Sequence, residues 1–147
     1  MTDVITYAAT TKNVDGPGSL SITCDGKSER LFVESDLFLA AGQSVPLLFR
    51  FGAETADEQS AWGHEHTALI DLKLRVVKDG DIPDVDEFTK HVLFIQFRRA
   101  DKPIRVRLQS FDGETRDLRF SANGLRTAMR TVEERCGIDK DGNYKPA

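Results

Sequence analysis

The chain is poor in the residues that carry most metal, thiol and nucleophile chemistry. Its 147 residues hold two cysteines, three histidines and one tryptophan. Two cysteines exclude a disulfide-dense mini-domain and leave one possible internal bridge. GxSxG, HExxH and EF-hand spacings are all missing. Their absence removes the nucleophile elbow, the zincin helix and the calcium loop as motif-level readings. No apolar run approaches the roughly 18 residues a membrane-spanning helix needs. Residues 1–19 lack the basic and apolar regions of a signal peptide. Two histories stay open for that start: a native Met1 in a chain that stays where it is made, or a removed signal with a start codon added.

What is present is a foldable composition. Hydrophobic residues make up 39% and charged residues 30% of the chain. That excludes low-complexity disorder and collagen-like repeats. One domain of this length buries roughly 68–70% of its unfolded surface. The net charge of −4 argues against a general polyanion binder. The charge is uneven, however: residues 98–130 hold nine Lys/Arg against four Asp/Glu, a net of +5.

The hydrophobic periodicity predicts a β-rich domain. Residues 1–19 read as a flexible polar arm ending in the turn signal Asp15-Gly16-Pro17-Gly18. Alternation predicts strands at Leu20–Cys24, Leu31–Val33, Val45–Phe51 and Ala68–Val77. Gly52 to His66 reads as a polar loop around Trp62. Residues 85–100 fit both a short helix from Val85 and a buried strand, with the helix favoured. Strands at 104–108 and 118–120 flank the turn Asp112-Gly113. Ser121 or Asn123 can cap a helix running from about residue 124 to Cys136, with Gly137 as its left-handed terminator. Residues 138–147 read as a tail. The expected architecture is a single domain over 20–137, an antiparallel two-sheet β-sandwich with a C-terminal helix.

The order of landmarks carries a resemblance. A strand ends in Cys24; a later strand reads Leu47-Leu48-Phe49-Arg50-Phe51-Gly52; Trp62 follows. Then come Phe94–Leu108 and Leu118-Arg119-Phe120-Ser121-Ala122-Asn123-Gly124-Leu125, closing on Cys136-Gly137. Over residues 20–137 this pattern resembles the small β-sandwich family of type VI secretion accessory proteins (the VasI/TagO group) and invasion-associated locus B proteins. Gly52 departs from it, standing where the family has an acidic residue. The resemblance implies a Cys24–Cys136 disulfide, a location in the periplasm or envelope, and a role without catalytic residues. Such a bridge, closing about 100 residues, contributes on the order of 4–5 kcal/mol in the chain-entropy account.

Each cluster of chemistry-bearing residues also has a plainer reading. His64 and His66 with Asp71 can chelate a divalent ion if they share a strand face. The plainer reading, two solvated loop histidines, is preferred, and no metal or cofactor is expected. A triad is disfavoured because Cys136 lies on the apolar stripe of its helix and His91 has no evident partners. Asp79, Asp81, Asp84, Asp86 and Glu87 read as a solvated acidic loop and helix start rather than paired catalytic carboxylates. Asp139 to Asn143 reads as part of the tail.

The basic segment is the strongest binding candidate. Arg98, Arg99 and Lys102 precede a strand on which Arg105 and Arg107 share one face, and Arg119 should join them from the paired strand. Convergent guanidiniums can hold a phosphate, a carboxylated glycan or an acidic protein. The alternative is a solvated face neutralised by Asp101 and Asp117. Nucleic acid is disfavoured because no aromatic residues interleave with the arginines. Trp62 beside Arg50 can either line a pocket or cap the core. The function the resemblance implies is a noncatalytic binding or accessory module of the bacterial envelope or secretion machinery. The alternative is a cytoplasmic inhibitor or adaptor, bacterial or phage-borne, that docks an acidic partner through the basic face.

Overall fold

In the computed structural model, residues 7–24, 29–52, 56–71, 96–97 and 99–137 are described. They form eight strands and one helix: β1 (Tyr7–Lys12), β2 (Ser19–Cys24), β3 (Glu29–Glu34), β4 (Ala40–Phe51), β5 (Asp57–Glu65), β6 (Thr67–Asp71), β7 (Ile104–Gln109), β8 (Thr115–Phe120) and α1 (Ala122–Cys136). The domain is mainly β and antiparallel with a C-terminal helix, as the alternation predicts.

The strands do not split into two stacked sheets. They form one sheet in the order β1-β2-β3-β6-β5-β4-β7-β8, with every neighbouring pair antiparallel. The reason lies in β4. It runs for 12 residues and pairs with β5 and, through Leu47–Phe51, with β7. It therefore joins what would otherwise be two sheets. A register shift between Ala41 and Gln43 places a bulge in it, and bulges bend a strand. Pro46 lies one residue before the β7 ladder begins, so its missing N–H faces no partner there.

The sheet nearly closes into a barrel. The Val14 N–H donates to the Arg119 carbonyl at 2.9 Å, and the Arg119 N–H donates to Asn13 Oδ1 at 2.9 Å. These bonds bring the chain after β1 against the end of β8. Residues Tyr7–Lys12, expected as part of an arm, are thus a strand. β5 was likewise expected as loop. Its inward positions Gln59, Ala61 and Gly63 are polar or small, so its alternation is weak in sequence although it is regular in burial.

The inward rows make the core. Leu20, Ile22, Leu47, Phe49, Val106 and Phe120 are fully buried, and Phe97 packs edge-on against Phe49 at 5.4 Å between ring centroids. Helix α1 covers the inner face of β1 and β2 with Leu125, Met129 and Val132. Ser121 is its N-cap, accepting from the Gly124 N–H at 3.0 Å. Gly137 ends it at φ 68°, a left-handed conformation that glycine adopts without a Cβ clash. Cys24 and Cys136 are bonded, with Cα atoms 6.4 Å apart, which ties the last turn of α1 to β2.

Gln96 and Phe97 have helical backbone. The rest of the helix-or-strand question over 85–95 lies outside the described residues. So do strand residues 72–77, the acidic loop 79–87, His91 and the tail 138–147.

Candidate functional site

The site is built by strand register. On β4, β7 and β8 the inward residues are apolar, so the alternate residues must face out. Arg50 on β4 pairs with Arg105 on β7, and Arg105 pairs with Arg119 on β8. Three guanidiniums therefore stand in one row across three strands. The next outward row reads Glu58, Leu48, Arg107 and Asp117. Arg105 and Arg107 do share a face, and Arg119 joins them, as the alternation predicts. Arg50 joins the same row through a register that no local pattern reveals.

The charges differ in how far they are balanced. Arg107 grips Asp117 with both ends of its fork, Nε to Oδ1 at 2.7 Å and Nη2 to Oδ2 at 3.1 Å. That bond holds the Asp117 carboxyl below its ordinary value, opposed by partial burial and helped by the nearby Arg107 and Arg105 charges. The same bond raises Arg107. Arg119 reaches Asp15 at 3.0 Å. Among the described residues, Arg50 and Arg105 form no ion pair. Like charges directly opposite one another on a sheet are destabilising. Among the described residues, the row thus sets two positive charges that form no ion pair in direct apposition.

A cavity of about 120 Å³ opens at this place, lined by Leu48, Arg50, Ala56, Arg105, Arg107 and Asp117. It combines three cations, one already occupied carboxylate and a small apolar wall. Phe97 steadies the approach: it contacts Phe49 and Phe51 from inside, at 5.4 and 5.7 Å. Arg126 on α1 donates to the Ala100 carbonyl and holds the segment that leads into β7. Lys102 lies across Gly52, where an added Cβ would come within 2.5 Å of its stem. At φ 63° Gly52 also suits a residue without a Cβ. The glycine that departs from the family pattern therefore has a local reason here.

The other candidates fall elsewhere. Trp62 sits on the outer face of β5, 52% exposed, opposite Ser44 and Leu69. It belongs to a strand, not a loop, and it does not cap the core. Ser44 is six positions from Arg50 along β4, about 20 Å at strand rise. Trp62 and Arg50 therefore do not share a site. Arg99 is exposed ahead of β7 and does not line the cavity; Arg98 lies outside the described residues. His64 faces out from β5, whereas His66 occupies the following turn edge-on to Phe38 at 6.0 Å. The two histidines are not on one strand face. Among the described residues, no group of three His, Cys, Asp or Glu is placed to hold a metal ion. No helix of the described residues is long and apolar enough to cross a membrane.

Sequence reasoning missed Leu48, Ala56 and the role of Asp15 as an internal counter-charge, whereas Asp117, named there as a neutralising acid, is paired with Arg107. The alternation of Leu48 with Arg50 was a usable signal for the first. Asp15 reaches Arg119 over 104 positions of sequence and has no local signal. Comparison with known protein families, curated proteins and solved structures finds no match to this chain.

Proposed function

We propose that the chain is a noncatalytic binding module that docks an anionic partner through the outer face of β4, β7 and β8. The observation that carries this reading is the Arg50–Arg105–Arg119 row beside a cavity, in which Arg50 and Arg105 form no ion pair among the described residues. Guanidiniums stay protonated throughout the physiological range, so they bind and orient anions but exchange no protons. That favours recognition over acid–base turnover. The Cys24–Cys136 bond supports an oxidising compartment, the bacterial envelope of the resemblance. A role as a secretion accessory protein follows from that resemblance and from no other feature.

The test is binding of a fluorescent glutamate decapeptide, followed as a function of salt. Wild-type protein should bind it with an affinity that falls steeply as salt rises. Arg50→Glu with Arg105→Glu should weaken it at least tenfold. Arg30→Glu, on β3 opposite Asp71, is the control and should leave it within twofold. Salt-independent binding, or equal loss in the control, would overturn the assignment.

A further inference from the structure

We propose that Arg50, Arg105 and Arg107 form a site selective for a phosphate monoester group, a deeper reading that rests on the anion-docking assignment above. The argument is one of charge, shape and surroundings. Four arginines line or flank the site, and two of them are matched internally: Arg107 by Asp117 and Arg119 by Asp15. Among the described residues, Arg50 and Arg105 form no ion pair, although the Arg105 charge also acts on Asp117. A carboxylate carries one charge and is satisfied by one arginine fork, as the Arg107–Asp117 pair itself shows. It would leave the second charge of the row unbalanced. A phosphate monoester carries about −1.5 to −2 at pH 7 and offers three acceptor oxygens. It matches both charges at once.

The geometry accommodates that group. Arg50 and Arg105 approach from neighbouring strands, and Arg107 stands two positions along β7 on the same face. All three line the same cavity from two neighbouring strands, and a tetrahedral acceptor with three oxygens can be reached from more than one side. The cavity of about 120 Å³ is well above the roughly 30 Å³ share of one water molecule. Leu48 and Ala56 give it an apolar wall. That wall suits the carbon side of an ester and distinguishes an organic phosphate from the inorganic ion. Asp117 also borders the cavity, but its oxygens are turned into the Arg107 fork. It occupies the Arg107 fork, so a ligand oxygen competes with it for the same donors.

Calorimetric titration at matched ionic strength tests this with four probes: phenyl phosphate, inorganic phosphate, dimethyl phosphate and acetate. Phenyl phosphate should bind tightest, inorganic phosphate next, and the two monoanions at least tenfold more weakly than phenyl phosphate. Arg50→Gln and Arg105→Gln should each weaken phenyl phosphate at least tenfold. Arg30→Gln, on β3 opposite Asp71 and outside the site, should change it less than threefold. Asp117→Asn should strengthen it by a few fold, because it frees the Arg107 fork.

The pH response supplies a second readout. Guanidiniums carry their charge throughout this range, and the bond to Arg107 holds the Asp117 carboxyl below its ordinary value. The ligand's own second ionisation, near pH 6, should therefore govern the affinity. Phenyl phosphate should bind more weakly at pH 5.5 than at pH 7.5, while dimethyl phosphate should not change. Equal affinity for phenyl phosphate and acetate would overturn the inference. If the glutamate peptide still binds in that case, the docking assignment survives alone. If neither ligand binds, both fall.

Discussion

The two sides of the sheet are held together by different physics. On the β1–β2 side, α1 lies on the inner face, Cys136 is bonded to Cys24, and the outward residues of β2 are Ser19, Ser21 and Thr23. That side is uncharged on β2 and covalently anchored. On the β4–β7–β8 side there is no covalent tie, and the outward rows carry Arg50, Arg105, Arg107 and Arg119. Within that side, adjacent rows differ again. Arg107 is paired with Asp117 and Arg119 with Asp15, whereas Arg50 and Arg105 stand opposite one another with no ion pair among the described residues. An identical backbone ladder underlies both rows, so the difference lies in side-chain chemistry alone. One side is anchored covalently; the other sets like charges opposite one another.

The contrast can be broken most strongly from the covalent side. Cys24→Ser with Cys136→Ser opens a loop spanning 112 positions and should lower stability by about 4–5 kcal/mol in the chain-entropy account. Urea unfolding would read this as a lower midpoint. Phenyl phosphate affinity, measured below the transition, should stay within twofold, because the site lies on the other side of the sheet. An unchanged midpoint would mean that the bridge does little for the fold.

A smaller effect on the same side comes from the helix cap. Ser121→Ala removes the acceptor for the Gly124 N–H and should lower stability by about 1 kcal/mol. Ser121→Asp, which can also accept that bond, should keep most of it. Equal loss in both variants would assign the effect to something other than capping.

On the charged side the expected sign reverses. Arg105→Glu places an acid between Arg50 and Arg119 and should raise stability by about 0.2–1 kcal/mol. It should also abolish phosphate binding. A variant more stable than its parent and unable to bind is what a site held at the expense of stability predicts. A destabilised Arg105→Glu would show that the row is not strained by repulsion.

The smallest effect is a pH dependence. Asp117 titrates lower in the folded chain than in the unfolded one, chiefly through its bond to Arg107. Its contribution is therefore fully present above the unfolded carboxyl range and is lost as pH falls through the folded value. The pair is largely exposed, so solvent screening keeps the effect small. Wild type and Asp117→Asn should differ in stability near pH 7 and converge in acid. Curves that stay parallel down to pH 2 would remove this pair from the acid response.

Part of this was legible in the chain. The alternation at Leu20–Cys24 and Ile104–Leu108 is strong because large apolar residues occupy every inward position. The helix announced itself by a capping serine, an apolar stripe and a terminal glycine, all local signals. β1 and β5 were not legible. Tyr7–Lys12 is a mostly small and polar segment that becomes a strand by lying against β2, and β5 turns in only Gln59, Ala61 and Gly63. Their strand character comes from neighbours, which is how β-propensity works in general. Trp62 differs from its expected loop position for the same reason: it lies on β5, the hairpin partner of β4.

The sequence by itself determined the β-rich class, the C-terminal helix with its caps, and the shared outward face of Arg105 and Arg107. Each follows from periodicities of two or 3.6 residues, which are properties of a short window. Only the tertiary structure decided that the strands make one nearly closed sheet, that Arg50 stands opposite Arg105, and that Asp15 and Asp117 pair with Arg119 and Arg107. Those facts depend on which strands pair and in what register. Pairing is set by contacts between distant residues across the whole barrel, and no local pattern encodes it.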